Sequence, residues 1–479
     1  MISTKFSIAF CAAAVAVTAS AQSEGFPVAL PDSVLVPSEI RMPHLESLDS
    51  AAQVLTLSRE ECVAIALQTS PTIHVADLEI KRMDYSKKET LASLWPTIDF
   101  SGSYQRSIEL QTIRMNMGGQ SQSIKMGSDN TWNFGFSASM PLVAPTLWKA
   151  IQISKTQIET SLESARQSRL QMIDNVNKAY YALLLAIASR DVLKENYEIT
   201  YYNARLYEQQ FQQGTATEYD VLRSQVQLTN LEPDLLQADI AVRQCQLQLK
   251  VLMGMDYAVD IRPNIKLADL QQEMYTYMLR DRDLSGNSSL RTLDLQTKTA
   301  RQNVDLKKFA WIPTLATQFN LSWLSLSNGN ALKNQEFSPY SNVALALSVP
   351  IFSGGSKYYG VKQAEVQVKE LELQRENLVN SLDMQVDLAL DNINMQARQI
   401  ESSEQGVRSA KKAHEIMQKS FEIGAATYLN LRDAELADTS AQLAYYQAIY
   451  NFLVSSSELD LLLGREDELA RYGVNMMQK

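Results

Sequence analysis

Phe211-Gln-Gln-Gly214-Thr-Ala-Thr217 returns 210 residues later as Phe421-Glu-Ile-Gly424-Ala-Ala-Thr427. In each copy a glycine interrupts a long helical pattern and a threonine opens the next one. Other pairs keep nearly the same spacing. Leu252-Met253-Gly254 returns as Leu462-Leu463-Gly464, Trp95-Pro96-Thr97-Ile98 as Ile312-Pro313-Thr314-Leu315, and Met140-Pro141-Leu142 as Val349-Pro350-Ile351. A solenoid repeats every ~20–50 residues. A period four times longer marks a duplicated half-protein, so each half is one unit.

The first repeat is 55–254. Its opening helix starts at Ser58, where Ser58 and Glu61 have capping-box spacing, and should end near Leu94, before Pro96. Two strands are expected at about 97–107 and 131–141, with a polar loop around Met115–Ser123 between them. A long helix over about 145–212 would span about 100 Å at 1.5 Å per residue. A second helix, about 217–253, contains Pro233 and should kink there. The second repeat, 286–464, has the same order: a helix, strands at about 314–324 and 341–350, and helices at about 356–422 and 427–463. Segment 22–54, with four prolines, reads as an extended arm. Segment 255–285 reads as an irregular linker and 465–479 as a tail.

The strands alternate. Phe134, Phe136, Ala138 and Met140 interleave with Asn133, Gly135, Ser137 and Ser139; Val343, Leu345, Leu347 and Val349 interleave with Ala344, Ala346 and Ser348. The long helices carry heptad steps, as in Leu382, Val386, Ala389 and Ile393.

Residues 1–21 read as a secretory signal, with Lys5, an apolar run from Phe6 to Val17, and the cleavage site Ala19-Ser20-Ala21. Phe10 before Cys11 is a poor match to a lipoprotein site. The chain carries 44 basic and 54 acidic residues, net −10, which does not suit nucleic acid. Cys62 and Cys245 are not a disulfide framework; they read as buried helix residues or as one pair. His44, His74 and His414 stand far apart, and no metal, cofactor or catalytic motif is present. We therefore expect no enzyme activity and no cofactor.

No stretch after the signal is apolar enough for a membrane helix, so any membrane entry must be by strands. Strands of about ten residues suit a tilted barrel. Four leave two bare edges, which lipid does not tolerate, so several chains would have to share one barrel. A soluble sheet with one wet face alternates in the same way. A periplasmic coiled-coil scaffold without channel activity is the alternative to a conduit.

The order of helix, two strands, very long helix, glycine break and shorter helix, all duplicated, resembles the TolC family of outer-membrane efflux proteins from about Leu55 to Gly464. Ala66-Leu67-x-x-Ser70-Pro71-x-Ile73 resembles the family's A-L-x-x-N-P-x-L, and Pro350-Ile351-Phe352-Ser353-Gly354-Gly355 its P-[IL]-F-x-G-G strand-to-helix turn. The first-half turn, Pro141 to Pro145, lacks the glycine pair. The resemblance implies a mostly α fold with a small transmembrane β part. Three chains would share a twelve-stranded barrel in the outer membrane and a periplasmic α-helical barrel. It implies a passive exit duct for efflux or type I secretion, with outer-membrane lipid, a periplasmic adaptor and an inner-membrane RND or ABC transporter as partners. The tips at Gly214, Thr215, Gly424 and Ala425 would meet the adaptor. The family's tip arginine is absent, because Ile423-Gly424-Ala425-Ala426 stands in its place. A periplasmic constriction is expected at Asp220, Asn430 and Asp433, whose alternative role is as solvated surface residues.

Overall fold

A computed structural model describes residues 54–117, 120–256, 259–273, 282–328 and 335–465. The signal segment, nearly all of the arm and nearly all of the tail lie outside the described residues.

The opening helix is two helices, α1 (Arg59–Thr69) and α2 (Pro71–Ala92). The single helix expected there is corrected by the Ser70-Pro71 pair. Pro71 occupies the first turn of α2, where its missing N–H costs nothing, and Ser70 before it is extended (φ −65°, ψ 126°). The Ser58–Glu61 capping box is formed in both directions.

Two strands flank this region. β1 (Val54–Leu57) ends the arm and pairs in parallel with β6 (Asp260–Pro263). Segment 255–285 is therefore less irregular than expected, since it holds β6 and a 3-10 turn over Leu267–Glu273.

The main sheet has the order β2 (Thr97–Arg106), β5 (Asn130–Val143), β7 (Thr314–Ser327), β8 (Ser338–Ser348), all antiparallel. β8 was expected to reach 350 but stops at Ser348, because Pro350 has no N–H for the ladder. Between β2 and β5 the expected polar loop is instead a second hairpin, β3 (Gln111–Met117) and β4 (Gln120–Met126). Gly118-Gly119 between them is a hairpin signal that a reading by polarity overlooks.

Registers bring like residues together. Ile98, Ala138, Phe319 and Val343 share one row, and Phe100, Phe136 and Leu321 share the next on the same face. Asp99, Ser137, Asn320 and Asn342 form a row on the opposite face. The apolar face is bare: Ile98 and Val343 are each 72% exposed.

Beside this sheet lie the helices α3 (Pro145–Gln212) and α4 (Glu218–Met253), then α5 (Ser288–Phe309), α6 (Ser356–Glu422) and α7 (Tyr428–Leu463), of which α3 and α6 leave the sheet directly. α3, 68 residues long, spans roughly 100 Å. α4 passes through Pro233 as one unbroken helix. Neighbouring pairs are α2 with α3, α3 with α5 and α5 with α6 near the sheet, and α4 with α3, α3 with α7 and α7 with α6 farther away. Among the described residues no helix is long and apolar enough to cross a membrane.

The core sits at mid-length, where α1 and β6 pack on α3. Tyr180, Leu183, Leu249, Met253, Ile261, Ile449 and Phe452 are buried there. Each such side chain contributes about 1.5–3 kcal/mol by leaving water. The Tyr180 hydroxyl donates to the Leu57 carbonyl at 3.2 Å, fixing the end of β1 to α3.

Candidate functional site

Two regions carry functional geometry: the ends of the two helical hairpins and the sheet.

Each hairpin turns at a glycine. Gly214 has φ +77° and Gly424 φ +76°, with open space where a Cβ would stand, so conformation and not crowding selects glycine. Thr215 N–H donates to Gln210 O (2.9 Å) and Ala425 N–H to Ser420 O (2.7 Å), closing the outgoing helices. The incoming helices start at Thr217 and Thr427.

Asp220 is the partner in a capping box. Its carboxylate accepts from the Thr217 hydroxyl (2.6 Å) and the Thr217 N–H (3.1 Å). Asn430 holds the matching place in the second tip, where its N–H donates to the Thr427 hydroxyl at 3.4 Å. Asp433, one turn on, is exposed. T-x-x-D spacing already carries this signal; a reading aimed at a ring of acids passes over it. The structure thus gives Asp220 a local task and leaves Asp433 as the open carboxylate of the three.

What joins the hairpins at the tips is aromatic. The Tyr207 ring of α3 lies 5.9 Å from Phe421 of α6 and 5.2 Å, edge-on, from Tyr428 of α7. The Arg223 guanidinium of α4 sits 5.6 Å above the Tyr428 ring, and the Tyr428 hydroxyl donates to Gln227 Oε1. All four helices therefore meet in one cluster.

Next to it lies a buried polar tie. Asn203 Nδ2 of α3 donates to Glu435 Oε1 of α7 at 3.1 Å, and Arg432 stands 3.5 Å from Glu435 Oε2. Glu435 is 3% exposed. Burial pushes its carboxyl above the usual carboxylate range, against the pull of Arg432 and His414. His414 Nδ1 lies 3.1 Å from Asp438 Oδ2, and Gln442 donates to Asp438 Oδ1 at 3.1 Å. His414 looked isolated in sequence; the hairpin brings Asp438 beside it. No group able to hold a metal ion occurs among the described residues.

The strand-to-helix turns differ. Gly354 (φ +60°) and Gly355 (φ +82°) turn the chain into α6, with Pro350 outside β8. In the first half Pro141 is not in the turn: it lies within β5 at a register shift opposite Ala316. Pro145 takes the first turn of α3 after Ala144.

Comparison with known proteins agrees with this architecture. The profile of the family described as "Outer membrane efflux protein" matches residues 63–255 and 279–465, one stretch per repeat. The outer membrane protein TolC of Vibrio cholerae is 23% identical over 346 residues, covering 71% of this chain and 78% of that protein. The alkaline protease secretion protein AprF of Pseudomonas aeruginosa is 24% identical over 427 residues, covering 86% and 87%. The crystal structure of the CmeC outer membrane channel of Campylobacter jejuni superposes with a TM-score of 0.66 at 18% identity, covering 88% of this chain and 90% of that one.

Proposed function

The chain belongs to the outer membrane efflux protein family, and on that premise we propose that three copies close into one passive exit duct through the outer membrane and into the periplasm. The observation that carries this reading is the pair of unfinished edges. Among the described residues β2 and β8 each have one unpaired ladder, and the sheet presents an apolar outer face. Neither edge survives in lipid unless another copy covers it. A head-to-tail contact of β2 with the next chain's β8 closes a ring. Two copies would give eight strands, an interior that side chains fill; three give twelve and leave room for water.

The helices have open apolar flanks. Tyr219, Leu222, Val226, Leu236 and Ile240 form an exposed stripe on α4. Tyr359, Val366 and Leu373, spaced by heptads, form one on α6. The α4 stripe lies near the tips and the α6 stripe near the sheet, so each offers the next copy an apolar flank at its own height, and covering both continues the barrel. The energy for export then comes from an inner-membrane transporter, joined through a periplasmic adaptor that grips Gly214, Thr215, Gly424 and Ala425. The Asp433 carboxylates narrow and charge the entrance.

Extraction from outer membranes in detergent, followed by mass determination, tests this. A particle of three chains that conducts ions in planar bilayers is expected. A monomer released into buffer, or a trimer without conductance, overturns it.

A further inference from the structure

The sheet face opposite the lipid is almost free of charge. Across β2, β5, β7 and β8 the only ionisable acids and bases of the Asp, Glu, Lys and Arg classes are Asp99 and Arg106. They have opposite parity, so only Asp99 lies on the polar face. Seven residues of extended strand, about 23 Å, separate them. Asp99 is exposed and shares its row with Ser137, Asn320 and Asn342. It is the third residue of β2, close to the end where α2 enters the sheet. In a closed ring the strand beside β2 is β8 of another copy. β8 contains no lysine or arginine, so no register of that contact supplies a counter-charge.

Resting on the trimeric duct, we propose that Asp99 sets the ionic preference of the barrel: three carboxylates in an otherwise neutral lumen favour cationic solutes and oppose anionic ones at the passage from helical tube to barrel. Hydroxyl and amide groups elsewhere in the lumen solvate either sign. No base on that face of the four strands opposes the three charges, and the low-dielectric wall focuses their field into the water.

The test reads the local potential at Ser101, two residues along the same face. Ser101→Cys is placed in a Cys245→Ala background; Cys62 is fully buried and is kept. The assembled trimer is treated with a cationic and an anionic methanethiosulfonate of similar size, and the ratio of their rates is measured. Asp99→Asn should lower the cation-to-anion ratio about fourfold at about 0.1 M salt. Asp99→Glu should preserve the ratio, and about 1 M salt should erase the difference. An unchanged ratio in Asp99→Asn overturns the inference while leaving the duct intact. If neither reagent reaches Cys at this position in the trimer, the face is not a lumen and the duct reading itself falls.

Discussion

Removing one amide from the tie near the tips should loosen the hairpins there and nowhere else. Asn203→Ala deletes the only side chain of α3 that donates to Glu435, yet leaves that carboxylate buried beside Arg432. A hydrogen bond to a buried charged acceptor contributes about 1.5–3 kcal/mol. Taking about 2 kcal/mol, the equilibrium between packed and separated helices shifts roughly 30-fold toward separation. Amide hydrogen exchange resolves this by segment. Exchange in 199–207 and 431–438 should quicken by about that factor, while 176–184, around the buried Tyr180, should not change. Adding Glu435→Gln should recover much of the loss, since a neutral amide at 435 is cheaper to leave half-satisfied than a carboxylate. Equal protection at the tips in wild type and Asn203→Ala, or a loss spread evenly along α3, would refute the reasoning.

Three further outcomes follow from the same geometry. Burial raises the Glu435 carboxyl, so the packed junction holds its proton more tightly than the separated one; protection at 431–438, normalised for intrinsic exchange, should be greatest at low pH, fall as pH rises through the raised value, and become flat in Glu435→Gln. Val343→Arg on the apolar face should cost about 2–4 kcal/mol if it sits near mid-bilayer and cut the yield of outer-membrane trimer, whereas Asn342→Arg on the opposite face should assemble normally. Gly214→Ala and Gly424→Ala should each cost only about 1–2 kcal/mol, the price of a left-handed backbone with nothing crowding the methyl, as denaturant midpoints would register.

Much of this fold can be read from local pattern. The long helices are visible because α3 has no proline or glycine between Pro145 and Gly214, and the main strands because large and small residues alternate. Composition misleads where it masks a local signal. Met115 to Ser123 is polar and so reads as a loop, although the backbone pairing of β3 with β4 needs no apolar face. The candidate tip acids were legible as residue types but not as roles, because a carboxylate three residues after a threonine can cap its own helix. Contacts made only by folding the hairpins, Asn203 with Glu435 and His414 with Asp438, span 232 and 24 residues and leave no periodic trace.

The bare edges of β2 and β8 also bear on inheritance. A chain damaged at one edge can still offer its sound edge to a healthy neighbour and draw it into a ring that cannot close. For the proposed ring of three, with intact and edge-damaged chains made in equal amounts and mixed at random, only about one ring in eight consists wholly of intact chains. Such an allele would therefore be dominant, while a null allele of the same gene would be recessive.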